Sequence, residues 1–246
     1  MGLVAPHICA NCGQTGATLC KRCIFNIYHQ KFHGCLICFR EISPTDFAKR
    51  GNLCQICSRT VPFSRIYVLG PRQGILQKLL DDYKFNSQRG GAGPLAQLFA
   101  KILPENLPPD LTVVPVTTVA KNVRNRGFDH MKLAGQKLAK IRGLNFAPDI
   151  LLRTNNLTQH LLKNSRERRE NAKKAFAINP RAEIPPRILL IDDIFTTGAT
   201  VSATAKLLQK SGAREIWLAV LAFQPRKSSA KNSRKTKNNS RNLTNQ

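Results

Sequence analysis

The sequence predicts an α/β fold, a mostly parallel sheet flanked by helices, preceded by a small metal-binding module. Three observations carry this. Short apolar runs of strand length recur along the chain, stretches with helical spacing lie between them, and all eight cysteines are confined to residues 9–57. At 246 residues the chain can bury a sizeable core.

The cysteines come first, in four CxxC pairs: Cys9/Cys12, Cys20/Cys23, Cys35/Cys38 and Cys54/Cys57. Two thiolates separated by a tight turn supply half of a tetrahedral zinc shell, so residues 1–60 are expected to bind two zinc ions. Joining neighbours gives CxxC-x7-CxxC for one ion and CxxC-x15-CxxC for the other, with an interleaved cross-brace as the alternative. Disulfides are a further alternative, disfavoured where nothing directs export. Eight thiolates complete two sites, which leaves His7, His29 and His33 as surface residues.

Next, "RIYVL" (65–69) reads as a strand, and "GILQKLLDDYKF" (74–85) carries apolar residues at helical spacing. "PLAQLFAKIL" (94–103) repeats that spacing, with Pro94 suited to a first turn and Pro104 ending it. "LTVVPV" (111–116) is a short strand interrupted at Pro115, and a helix is expected over 130–142, stopping near Gly143. Residues 153–176 are polar and basic and read as a loop leading to or containing a helix. "RILLI" (187–191) is a buried strand, "TVSATAKLLQKSG" (200–212) a helix, and "EIWLAVLAF" (215–223) the last strand. The main domain is thus expected over 61–223.

Residues 224–246 hold seven basic residues and no acid, and read as a disordered basic tail. Removing it takes the net charge only from +25 to +18, so the folded part is basic as well. A balance of 39 Lys+Arg against 14 Asp+Glu argues for phosphate-rich partners, nucleotide or nucleic acid. The longest apolar run, "IWLAVLAF", is far short of the roughly 20 residues that span a bilayer, and no secretory signal is visible; a cytoplasmic location is expected.

"ILLIDDIFTTGAT" (188–200) carries the chemistry. Two adjacent acids, Asp192 and Asp193, would stand at the carboxyl edge of the sheet, where open α/β folds place ligands. Thr196, Thr197, Gly198, Ala199 and Thr200 would present hydroxyls and backbone N–H groups at a helix N-terminus, an anion cradle. Ionised carboxylates accept hydrogen bonds only, so acids beside such a cradle suit a sugar diol, and a ribose 5-phosphate has both parts. A Walker B strand would need a P-loop, and none occurs; "GAGPLA" (91–96) fits a dinucleotide fingerprint but follows no strand. A strand, loop and helix without a ligand is the plain alternative.

The stretch 188–200 resembles the motif by which type I phosphoribosyltransferases bind phosphoribosyl pyrophosphate (PRPP). With the cysteine pattern, "VPV" (114–116), "RNRGF" (124–128) and the spaced set Arg153, Gln159, Leu162, Arg168, Asn171, Ala175 and Phe176, the chain is similar to the ComF family of competence proteins. That resemblance implies a type I phosphoribosyltransferase-like domain behind a zinc finger. It implies that Asp192 and Asp193 hold the ribose hydroxyls, directly or through Mg²⁺, and that residues 196–200 hold the 5-phosphate. Val116 and Thr117 match the pyrophosphate turn, with Thr117 replacing a proline common there, and Arg124 and Arg126 follow as its cationic partners. Asp129-His130 departs from the Asn-Gln usual in the family, and Arg166, Arg168 and Arg169 suit either a loop closing over the ligand or a solvated helix face. The role implied is uptake of transforming DNA, with single-stranded DNA and a helicase or recombination protein as partners. The alternatives are a salvage phosphoribosyltransferase with a purely structural zinc finger, and a ligand-switched regulator. No general base can be picked out; Tyr83, His130 and His160 read as structural.

Overall fold

The computed structural model describes residues 8–9, 11–29, 31–85, 91–154 and 175–225. In chain order the elements are α1 (Lys21–His29), α2 (Pro44–Arg50), α3 (Gln55–Ser58), β1 (Arg65–Pro71), α4 (Gly74–Phe85), α5 (Ala92–Ile102), β2 (Leu111–Pro115), α6 (Ala120–Arg126), α7 (His130–Arg142), β3 (Asn145–Phe146), β4 (Leu151–Arg153), β5 (Phe176–Ile178), β6 (Arg187–Phe195), α8 (Ala199–Lys210) and β7 (Glu215–Phe223). The expectations for residues 155–174, for His7 and for residues 226–246 of the tail lie outside the described residues.

Five strands form one sheet in the order β1-β7-β6-β2-β3, every neighbouring pair parallel, while β4 and β5 make a separate antiparallel pair. Its central strands are buried on both faces, which is why they read as continuous apolar runs rather than alternating ones. Alternation along β6 divides the core. Leu189 and Ile191 join a layer with α4, α5 and α7, and Ile188 and Leu190 join one with α8 and the β4–β5 pair.

The helices end where local chemistry ends them. Asp129 caps α7 by accepting from the N–H groups of Met131 (3.0 Å) and Lys132 (3.2 Å), and left-handed Gly143 closes it. Arg142, in its last turn, donates to the carbonyls of Ala100, Pro104 and Glu105, holding the end of α5.

The cysteine stretch packs against the open edge of the sheet from both sides. Cys23, Ile24 and Ile27 enter the core layer of α4 and α5, whereas Cys35, Leu36 and Leu53 enter the opposite one. Between them, buried Asn52 stands in for a missing strand. Its Nδ2 donates to the carbonyls of Phe32 (2.9 Å) and Gly34 (3.2 Å), its Oδ1 accepts from Val68 N–H (3.0 Å), and its own N–H reaches Ile66 O (2.6 Å). The backbone of β1 is thereby satisfied along an edge that would otherwise invite another chain.

Several boundaries shift by one or two residues from the sequence expectation, and one shifts further. β6 does not stop at Ile191 but pairs with β7 through Phe195, with Asp192 opposite Val220 and Ile194 opposite Ala222. Backbone pairing needs only a neighbouring ladder, and β7 runs on to Phe223; the polarity of two side chains does not end a strand.

Candidate functional site

After β2 the chain passes to α7 on one face of the sheet, and after β6 it passes to α8 on the other. The paths diverge above the crevice between β2 and β6, the switch point at which open α/β sheets bind ligands. Asp192, Asp193 and the turn that follows stand at the β6 side of this crevice.

The turn is three residues long. Thr196 and Thr197 are exposed, and Gly198 adopts the left-handed conformation (φ 72°, ψ 2°) that swings the chain into α8. A Cβ on Gly198 would come within 2.5 Å of the Phe195 ring, so conformation and close packing both favour glycine here. Thr197 Oγ1 accepts from Ala199 N–H at 3.3 Å, and the first helical bond runs from Ser202 N–H to Gly198 O. The first turn of a 12-residue helix, with its N–H groups, and two exposed threonines thus follow directly on the carboxyl end of β6, an arrangement suited to a phosphate.

The two acids have separate surroundings, because successive side chains of a strand point to opposite faces. Asp193 is buried against α7, its Oδ2 2.8 Å from His130 Nε2. Asp192 lies on the side of Arg153; burial pushes that guanidinium down from its ordinary range and the Asp192 charge opposes the shift. Asp192 Oδ1 also accepts the Asp193 N–H at 2.9 Å. This separation is how two adjacent carboxylates coexist without facing one another.

His130, which the sequence alone reads as structural, stands in direct contact with the acid pair. Arg126 Nη1 lies 3.1 Å and Thr118 Oγ1 3.2 Å from its Nδ1, and Tyr83 donates its hydroxyl to the His130 carbonyl at 3.0 Å. A guanidinium can only donate, so Nδ1 accepts and Nε2 carries the proton toward Asp193. Burial pushes the Tyr83 phenol well up, which keeps it a donor.

On the β2 side, Val116 N–H bonds Ile191 O (2.9 Å), the Thr117 hydroxyl donates to Leu151 O (2.7 Å), and Arg153 reaches Thr117 O (3.4 Å). These bonds brace the crevice and tie it to the β4–β5 pair, whose Arg153 also lies over Phe176. Arg124 is exposed on α6, and Arg126 turns inward to His130.

The cysteines gather as two sets of four neighbours in sequence, Cys9, Cys12, Cys20 and Cys23, and Cys35, Cys38, Cys54 and Cys57. Within each set all sulfurs lie within 4.8 Å of one another, with Cys12–Cys20 at 3.7 Å and Cys38–Cys54 at 3.9 Å. A tetrahedral ion with Zn–S bonds of about 2.3 Å spaces its sulfurs by about 3.8 Å, so each set could hold one zinc ion. Cys20 N–H donates to Cys9 Sγ and Cys57 N–H to Cys54 Sγ, the backbone support usual around metal thiolates. His29 and His33 are exposed. No described helix is long and apolar enough to cross a membrane.

The family model for the phosphoribosyl transferase domain matches residues 142–245, which include β6, the turn and α8. The competence protein ComFC of Streptococcus pneumoniae is 27% identical over 229 residues, covering 85% of this chain and 96% of that protein. Over most of its length the chain is thus similar to a ComF-type competence protein. A second relative is the DNA utilization protein YhgH of Escherichia coli K12, 26% identical over 223 residues, covering 85% of this chain and 87% of its own length. Among solved structures, a hypoxanthine phosphoribosyltransferase of Staphylococcus aureus is 15% identical, with 57% of this chain and 65% of that one covered and a TM-score of 0.34.

Proposed function

We propose that this protein is a member of the ComF family that binds PRPP with Mg²⁺ in the crevice between β2 and β6 and acts in DNA uptake during natural transformation, with single-stranded DNA as its polymer partner. One arrangement carries the ligand reading: an acid pair at the end of β6, followed within three residues by a left-handed glycine turn opening α8. Asp192 and Asp193 hold the ribose hydroxyls, directly or through Mg²⁺, a hard cation that favours carboxylate oxygen. Thr196, Thr197, Gly198, Ala199 and Thr200 take the 5-phosphate. Val116 and Thr117 form the floor of the pyrophosphate end, with Arg124 and Arg126 as its cations. The DNA role is supported by the names of the relatives, competence and DNA utilization proteins, and by the +25 charge.

In this reading residues 1–60 are a module of two zinc ions, 61–223 the phosphoribosyltransferase-like domain and 224–246 a basic tail, in a cytoplasmic protein that hands the strand to a helicase or recombination partner. Calorimetry of Mg²⁺ with PRPP tests the ligand. The wild type should bind, and Asp192→Ala/Asp193→Ala should weaken binding about 100-fold or more, since each lost charged hydrogen bond counts for about 1.5–3 kcal/mol. A wild-type protein that takes up no PRPP ends the reading. Complementation of a deletion strain by wild type but not by the double variant would tie the site to transformation.

The match to a phosphoribosyl transferase domain favours a second reading, a salvage enzyme whose zinc finger is only structural. Release of pyrophosphate from PRPP with a panel of bases separates the two.

A further inference from the structure

We infer that His130, with its tautomer set by Arg126, is a positioning residue that orients the Asp193 carboxylate for the bound sugar and its cation. The inference rests on the PRPP reading of the crevice and deepens it, by giving the two acids different support.

The geometry is that of a built chain, not a surface encounter. Arg126 Nη1, His130 Nδ1, His130 Nε2 and Asp193 Oδ2 follow one another with steps of 3.1 Å and 2.8 Å. The imidazole and the carboxylate are only 6% and 8% exposed. Tyr83 packs edge-on to the ring, centroids 5.9 Å apart, and anchors the His130 carbonyl, while Asp129 caps the helix on which the ring stands. The ring therefore has one place to sit, and the bond it donates fixes the plane of the Asp193 carboxyl group. A carboxylate that must meet a cation or a diol gains from such support, because an outer hydrogen bond settles its orientation before the ligand arrives. Asp192, across the strand, has Arg153 on its side instead. Arg126 has further N–H groups besides the one spent on His130, so it can hold the imidazole and still serve an anion.

Two measurements on the full chain test this. In calorimetry with Mg²⁺ and PRPP, His130→Leu should bind about 10- to 100-fold more weakly than wild type, the usual cost of removing such an outer-sphere donor. His130→Gln, which offers an N–H at a similar reach, should recover affinity to within about threefold of wild type. His130→Leu binding like wild type, or His130→Gln as weak as His130→Leu, overturns the positioning role while leaving the PRPP reading intact. A wild type that does not bind overturns both. Should His130→Leu fail to fold, nitrogen-15 NMR of the wild-type imidazole decides: a proton on Nε2 and a bare Nδ1 are expected, and the opposite tautomer overturns the assignment.

Discussion

At the scale of single residues, two glycines separate two kinds of constraint. Gly198 has a left-handed conformation that alanine tolerates at a cost, and the Phe195 ring its Cβ would strike can move. Gly51 is different: with φ 63° and ψ −133° its Cβ would run into the Ile66 carbonyl oxygen and the Tyr67 ring. Gly198→Ala should therefore cost about 1 kcal/mol and Gly51→Ala at least about 2 kcal/mol, read from urea unfolding. Equal costs would show that backbone crowding at Gly51 is relieved by movement. The acids and the turn were legible in the sequence because their chemistry is local, compressed into residues 192–200. His130 was not, since it lies 63 residues from Asp193 and meets it only because α7 settles on the face of β6 to which Asp193 points.

At the scale of elements, long segments were readable and short ones were not. β1, β2, β7, α4, α5, α7 and α8 announce themselves by apolar runs or helical spacing, and α7 ends where its glycine predicts. α6, β3, β4 and β5 span two to seven residues, too few for periodicity to emerge, and exist because tertiary neighbours supply their bonds. Asn52 shows the same limit. A single amide in a cysteine-rich stretch gives no hint that it completes the ladder of β1. Asn52→Ala should lower stability by about 3 kcal/mol or more, because Val68 N–H and two carbonyls lose their partner in a buried place. Faster hydrogen exchange at the Val68 amide, relative to its neighbours in β1, would locate the damage; an unchanged rate there would contradict it.

At the scale of the whole molecule, two cysteine clusters feed two opposite core layers. We expect two zinc ions per chain by atomic absorption, and one after either Cys20→Ser or Cys54→Ser. Each variant should also melt at a lower temperature, since metal binding is part of the folding free energy. A metal content of zero or one in the wild type would refute the assignment of one ion per cluster. Affinity for single-stranded DNA should fall steeply with salt, each neutralised phosphate adding about 0.7 to the logarithmic slope, and a flat dependence would remove charge as the driving force.

Because β1 is sealed by the same cysteine-rich stretch that the metal would organise, zinc supply and stickiness would be coupled. A chelator or a thiol oxidant would do more than unpick a finger: it would bare a ready template for strand addition, so that starvation for one metal ion would be felt as clumping between molecules.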